Sequence, residues 1–383
     1  MTAPYSPDQR EKVVCKLPPA LRYELKVRAA QLSVDIKDAV TEGVHAWRAL
    51  TEPLPVVDTS GGTPFSTYLP TGMAAELKAT CAERGVPFAQ GIAQSIRLWL
   101  DVHAVVSRSG DHSGCRRYIM ANQKGGVGKT AVSAGVAQAL AEAGFRVLMV
   151  DFDPQCHLTN QLDQDPIVYG EPSLMKFMTG EGKGEIADLL VPIADEIFGG
   201  RLYLLPSCKD AFLLDAKLAT TREIRIKETA LESALKPLED RFDYIVIDCP
   251  PSLGYAMDNA LYFARTRPNE ITRESGMFIV VQAEDSSADA FELLQEQVDS
   301  LSEDLDIDIH QAGIIVNQYD ARRGYVATSS LDAWKDLGEP PVVAVVPDLA
   351  PQREAVRNKQ ALLAYAPTSD QAGAMRTIAR EIS

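Results

Sequence analysis

The chain of 383 residues is short of several things, and each shortage excludes something. It has no run of 18 uninterrupted apolar residues, so no transmembrane helix is expected. Its start, Met1-Thr2-Ala3-Pro4-Tyr5-Ser6, lacks a basic segment followed by an apolar stretch, so no secretory signal is expected either. Histidine is scarce at 5, and the 6 cysteines (Cys15, Cys81, Cys115, Cys156, Cys208, Cys249) are scattered without a C-x-x-C pair. A zinc site and a disulfide framework are therefore not expected, and the thiols read as reduced cytosolic ones. Basic charge is also lacking. The 38 Lys and Arg face 53 Asp and Glu, a net charge of -15, which argues against coating nucleic acid with the whole surface. Residues 1–115 hold 12 basic and 12 acidic side chains, so the entire excess of acid lies beyond them. The 46% of hydrophobic residues is ample for a core, and the length predicts two or three domains.

The most informative stretch present is Asn122-Gln123-Lys124-Gly125-Gly126-Val127-Gly128-Lys129-Thr130. It follows the apolar run Tyr118-Ile119-Met120-Ala121 and opens an Ala-rich segment, Ala131 to Ala143, with helical composition. A strand, a glycine loop and a helix N-terminus in that order make a phosphate cradle: backbone N–H groups point inward and the helix dipole adds positive potential. The binding segment runs through Lys124, Gly125, Gly126, Val127, Gly128, Lys129, Thr130 and Ala131. Lys129 is placed to reach the β- and γ-phosphates of ATP, and the Thr130 hydroxyl to bind Mg²⁺.

Carboxylates follow at the ends of apolar strands. Arg146-Val147-Leu148-Met149-Val150 ends in Asp151-Phe152-Asp153-Pro154-Gln155, and Tyr244-Ile245-Val246-Ile247 delivers Asp248 before Cys249-Pro250-Pro251. Four apolar residues followed by Asp read as a buried parallel strand of Walker B type, with Asp248 holding Mg²⁺ through water. Two more strands, Met277 to Gln282 and Gly313 to Val316, precede a last one, Val342 to Val346, ending at Pro347. Strands each followed by a helical stretch predict a doubly wound α/β domain with a mostly parallel sheet. Its ligand is expected at the C-terminal strand ends, where all these motifs lie.

The loop departs from the general P-loop pattern, which has Gly where this chain has Gln123, and it carries an extra lysine, Lys124. That K-G-G-x-G-K-[ST] form, with D-x-D-P-Q and D-C-P-P-S-L-G, resembles the deviant Walker A ATPases of the ParA/MinD family over residues 117–383. The resemblance implies that Lys124 crosses the interface of an ATP-sandwiched homodimer to contact the partner's phosphates. It further implies that Asp153 positions the attacking water, Asp151 supports the metal site, Asn317 reads the adenine edge and a loop from Pro347 covers the nucleotide. The family often has Arg after that proline; here Asp348 weakens any transfer of basic contacts there. The family acts with DNA and a ParB-like partner protein bound at a centromere-like site, so a cytoplasmic, nucleoid-associated protein is implied.

The first hundred residues carry an internal repeat. A shift of 52 places Leu17-Pro18 on Leu69-Pro70, Glu24-Leu25-Lys26 on Glu76-Leu77-Lys78, and Ala30, Val34 and Trp47 on Ala82, Val86 and Trp99, 8 identities in 31 positions. Each copy, about 12–50 and 64–102, predicts a short strand, a helix, a turn and a second helix. This resembles a ribbon–helix–helix unit, and two copies in one chain could form the usual dimer internally. Val13, Cys15, Leu17, Phe65, Thr67 and Leu69 are then expected inward, and Lys12, Val14, Lys16, Ser66 and Tyr68 outward. DNA contact is expected from local patches: Lys12, Lys16, Ser66 and Tyr68 on this ribbon, and Arg322, Arg323, Arg353, Arg357 and Lys359 in the ATPase part.

The expected organisation is a mainly helical domain over 1–105, a Ser- and Gly-containing linker over 106–116, and a ParA-like ATPase domain over 117–383. The expected activity is Mg²⁺-dependent ATP hydrolysis driving plasmid or chromosome partition. The alternatives are ATP-gated positioning of another cargo and a nucleotide-gated transcriptional repressor. The end, Gln371 to Ser383, has no bulky aromatic anchor, so no membrane attachment is expected.

Overall fold

A computed structural model of the chain describes residues 10–32, 34–50, 54–103, 114–220, 224, 226–268, 270, 274–284 and 286–383. Most of the expected linker, the turn residue Ser33 and the start of the inter-repeat segment at 51–53 lie outside the described residues. The chain divides into two compact units, 1–105 and 106–383.

In the first unit, β1 (Arg10–Leu17), α1 (Pro19–Gln31) and α2 (Ile36–Ala49) are followed by β2 (Thr63–Pro70), α3 (Met73–Glu83) and α4 (Phe88–Val102). The two strands pair antiparallel, with Lys12 opposite Tyr68, Val14 opposite Ser66 and Lys16 opposite Pro64. Alternation sends Val13, Leu17, Phe65, Thr67 and Leu69 into the core, leaves Cys15 half-buried and exposes the other set. Pro19 opens α1 where its missing N–H costs nothing. The acid Glu11 reaches from β1 to accept from the N–H groups of Gly72 (3.1 Å) and Ala74 (3.4 Å), capping α3.

The second unit holds an eight-stranded sheet built from β3 (Arg116–Ala121), β4 (Val147–Asp151), β5 (Val191–Pro192), β6 (Leu202–Leu205), β7 (Tyr244–Asp248), β8 (Gly276–Gln282), β9 (Gln311–Tyr319) and β10 (Val342–Pro347). Its order is β10-β9-β8-β3-β7-β4-β6-β5, parallel throughout except the β5–β6 edge. The chain reverses its direction of winding between β7 and β8, on either side of β3, so the loop after β3 sits at the switch point. The strands are buried on both faces: Ile119, Leu148, Ile245 and Ile279 join one core, and Tyr118, Met149, Val246 and Phe278 the other. β3 reaches two residues further back than its apolar run, because Arg117 is buried against Glu270 at 2.7 Å and donates to the carbonyls of Phe263 and Cys115. The last helix, Asp370–Glu381, is a core element. Its Ala372, Met375 and Ile378 are buried, and Arg376 makes a buried ion pair with Glu142 at 2.6 Å. Among the described residues no helix is long and apolar enough to cross a membrane.

Candidate active site

The loop after β3 is glycine-shaped in two different senses. Gly126 and Gly128 have φ of +80 and +84°, which L side chains rarely adopt. A Cβ on Gly125 or Gly126 would meet nothing within 4 Å, so one side of the loop is an open cradle. A Cβ on Gly128 would lie 2.2 Å from the Asn317 amide nitrogen, so the other side is tightly backed. Asn317, at the end of β9, is buried and donates from Nδ2 to the Val127 carbonyl at 2.8 Å; Gln318 donates to the Gly126 carbonyl at 3.3 Å. Asn122 fixes the other end, donating to the Val280 carbonyl at 2.6 Å and accepting from the Lys124 N–H at 2.8 Å. The Asn317 amide has two N–H groups and an oxygen, and one of those N–H groups is committed to the loop.

Helix α5 (Lys129–Glu142) starts at the loop and carries Lys129 and Thr130 in its first turn. The Lys129 ammonium donates to the Lys124 carbonyl at 3.3 Å, curling back over the cradle. Parallel register sets Asp151 of β4 beside Asp248 of β7. Asp248 accepts from Ser133 Oγ at 3.1 Å, and Asp151 accepts from the Thr159 N–H and hydroxyl at 2.8 and 2.6 Å. Each carboxylate keeps one buried oxygen without a partner, Asp151 Oδ1 and Asp248 Oδ2. Burial pushes the Asp151 carboxyl up to about 6 and raises Asp248 as well, with the neighbouring Asp151 charge adding to the second. Burial lowers Lys129 against the pull of Asp248. Two orphaned carboxylate oxygens beside a threonine hydroxyl fit a hard, oxygen-preferring cation such as Mg²⁺. No cluster of three His, Cys, Asp or Glu that could cage a metal occurs among the described residues.

Asp153 is buried at the same rim; its Oδ1 accepts from the Gln155 N–H at 2.9 Å and its carbonyl from Ser207 Oγ at 2.8 Å. Beyond the loop, a cavity of about 220 Å³ is lined by Ala131, Asn317, Val346, Leu349 and Gln352 among others. Pro347 borders this region, its carbonyl accepting from the buried Gln371 at 3.1 Å.

A family model described as an AAA domain matches residues 116–310. The chain is 30% identical to the chromosome-partitioning ATPase Soj of Thermus thermophilus, over 70% of this chain and 95% of that protein. The chain belongs to the ParA/MinD-type P-loop ATPases. A solved Mycobacterium smegmatis protein, titled cobyrinic acid a,c-diamide synthase and holding an ATP analogue and magnesium, is 29% identical, with TM-score 0.55 over 70% of this chain and 93% of that one. The ATP complex of a McdA variant from Cyanothece shares the fold alone, at 20% identity and TM-score 0.59 over 70% and 96%. As a ParA/MinD-type enzyme the protein is an ATPase using ATP and Mg²⁺, and its class is that of partition or positioning ATPases.

The structure brings the cradle, Lys129, Thr130, Asp151, Asp153 and Asp248 of this ParA/MinD-type site to one end of the sheet. Lys124 stands at the rim, its ammonium 3.3 Å from Glu284. The basic candidates nearby are mostly matched by acid: Arg322 pairs with Asp320, Arg323 with Glu284 and Asp348, Arg353 with Asp348, and Lys359 with Asp163; Arg357 is exposed. Residues without a sequence signal include Thr159, Ser207, Ser133 and Glu284. Each acts by reaching across from another segment, and spacing along the chain does not encode such contacts.

Proposed function

We propose that the protein is a DNA-partition ATPase whose subunits close face to face on ATP, bind DNA without sequence preference and are released by slow hydrolysis. The observation that carries this reading is Lys124, a second loop lysine placed at the rim instead of in the cradle. Exposed apolar side chains add to it: Val168 and Tyr169 after β4, Phe212 and Leu213 after β6, and Leu253 after β7. The loops carrying them are tied together, Asp210 accepting from the Gly170 N–H and Asp215 from the Ala256 N–H. Apolar residues gathered round a nucleotide site suit coverage by a second copy.

In this mechanism the loop N–H groups and Lys129 hold the phosphates, and Ser133 and Thr159 fix the orientation of Asp248 and Asp151. Thr130, Asp151 and Asp248 would hold Mg²⁺, which would supply neutralisation of charge on the phosphoryl group. Asp153, fixed by Ser207 and Gln155, orients the attacking water, and Lys124 of the facing subunit completes the charge compensation. A lysine acting in trans couples dimerisation to turnover. A ParB-like partner bound at a centromere-like site would accelerate hydrolysis, and the protein would reside in the cytoplasm on the nucleoid.

The N-terminal unit supports an added role. Its antiparallel strands and flanking helices support reading it as a ribbon–helix–helix pair within one chain, since a two-stranded ribbon is of the size a major groove admits. Autoregulation by this ribbon joins partition in the reading. The test is a DNA titration on the intact protein with and without ATP, on nonspecific duplex and on DNA from upstream of its own gene. ATP-dependent nonspecific binding supports partition; binding indifferent to ATP on both DNAs would refute it.

A further inference from the structure

The N-terminal unit has a two-fold axis that can be located to one residue pair. Val14 and Ser66 are 52 positions apart, the repeat interval, and they lie directly opposite each other in the ribbon. The same axis relates two indole contacts, one buried and one part-buried. Trp47 Nε1 donates to Gln94 Oε1 at 3.1 Å and Trp99 Nε1 to Glu42 Oε2 at 2.9 Å, each partner again 52 positions from its counterpart. On the axis α2 and α4 touch: a Cβ on Gly43 would lie 2.4 Å from the carbonyl oxygen of Ser95, its own repeat equivalent.

The outer face of the ribbon breaks this symmetry. The axis maps Lys12 onto Pro64, Val14 onto Ser66 and Lys16 onto Tyr68. One strand therefore presents two lysines whose backbones are about 13 Å apart on either side of an exposed valine, and the other a hydroxyl, a phenol and a proline without charge. On the inner face the axis maps Leu17 onto Leu69 and the apolar Val13 onto the apolar Phe65, since both halves fill one core, while Cys15 falls on Thr67.

We infer that this ribbon binds a non-palindromic duplex DNA site, one chain per site, with β1 and β2 contacting halves of different chemistry. The inference rests on the reading of the unit as a DNA-binding ribbon. Lysines donate to guanine O6 and N7, and Val14 suits a thymine methyl, so the β1 half is expected to prefer G with neighbouring T. Ser66 and Tyr68 donate or accept in the other half and add no charge. Both strands come from one chain, so no second copy is needed to complete the ribbon. The unit's balance of 12 basic and 12 acidic residues up to position 115 leaves little general attraction for phosphate, so base contacts carry more of the discrimination.

The test is selection of bound duplexes from a randomised library by the full chain without nucleotide, followed by mass determination of the complex. The expected result is an enriched motif lacking internal two-fold symmetry, bound by one chain. Lys12→Ala with Lys16→Ala should cost about tenfold or more in affinity, relax preference in one half and lower the salt dependence. Ser66→Ala with Tyr68→Ala should relax the other half with the salt dependence unchanged. All four positions are exposed, so unfolding curves should match the parent. A palindromic motif, two chains per site, or loss of both halves by either pair overturns the asymmetry while keeping the ribbon as a DNA reader. No enriched motif overturns the inference and the ribbon's DNA role together, and leaves the ATP-dependent binding of the partition reading to its own titration.

Discussion

In the N-terminal unit the buried indoles of Trp47 and Trp99 each meet an acceptor from the opposite repeat, whereas in the ATPase unit the buried carboxylates of Asp151 and Asp248 each keep an oxygen unmatched. Glycine differs in the same direction. Gly43 and Gly91 are small because another group already fills the space, Ser95 in one case and the Cys81 sulfur in the other. Gly125 and Gly126 face open space. At these positions the N-terminal unit is filled by its own groups, whereas the ATPase unit holds unmatched carboxylate oxygens and room that a ligand would occupy. Buried polar atoms without partners are costly, so a fold that keeps two of them side by side marks where its chemistry lies.

The largest effect expected to sharpen this contrast comes from Lys124→Ala. It should leave ATP binding in place and remove the ATP-induced dimer, with turnover lower by about 10³-fold, as for a charge supplied in trans. Sedimentation and phosphate release check it, and a fully active variant would break the assignment of Lys124. Asp153→Ala should have the opposite signature, a persistent ATP-bound dimer; rapid hydrolysis would refute its role.

Next comes Lys129→Ala, expected to weaken ATP by about 100-fold or more, since removing a buried charged partner costs roughly 2–5 kcal/mol. Calorimetric titration reads it, and unfolding of the N-terminal unit should be unchanged.

Paired glycine substitutions test the comparison most directly. Gly43→Ala must push apart two helices and should destabilise the N-terminal unit by about 1–3 kcal/mol with ATP affinity unaffected. Gly125→Ala has room and no left-handed φ, so it should leave unfolding of the empty protein unchanged while blocking the phosphates. If both variants lower stability alike, the distinction between packed and open glycines fails.

The pH dependence is smaller. The Asp151 carboxyl stands near 6 against an ordinary 3.8, so its favourable share in the empty protein is complete below about pH 4 and is lost as pH rises through about 6. Cation binding needs the ionised form, so the thermal stabilisation by Mg²⁺ and ATP should grow across that interval. Asp151→Asn should flatten the rise, and a gain that is level from about pH 5 to about pH 8 would count against the pairing of these carboxylates with a metal. The smallest effect belongs to Glu284→Gln. The part-exposed pair with Lys124 contributes under about 1 kcal/mol, so the ATP concentration for dimerisation should fall severalfold at most.

Much of the phosphate site was legible in the chain because its parts are contiguous: a loop of nine residues with its flanking strand and helix, and carboxylates at the ends of apolar runs. The repeat was legible through identities at a fixed interval, and the inward and outward faces of its strands through alternation of period two. What supports those groups was not legible. Thr159 holds Asp151 across 8 residues, Ser133 holds Asp248 across 115, and Asn317 backs the P-loop across 190. The basic residues singled out near the nucleotide carried no sign of their neutralisation, because Glu284, Arg323 and the Asp348–Arg353 pair come from three separate segments of the chain.

The sequence by itself determined the P-loop, the apolar cores of six of the eight sheet strands but not of β5 and β6, and the duplication at an interval of 52, since local spacing and periodicity specify each of these. Only the tertiary structure decided that β4 and β7 lie in register so that Asp151 and Asp248 share one site. It likewise decided that Val14 meets Ser66 on a two-fold axis. Strand neighbours and registers are chosen by burial of whole faces, and that choice is made when distant segments pack, where no local pattern records it.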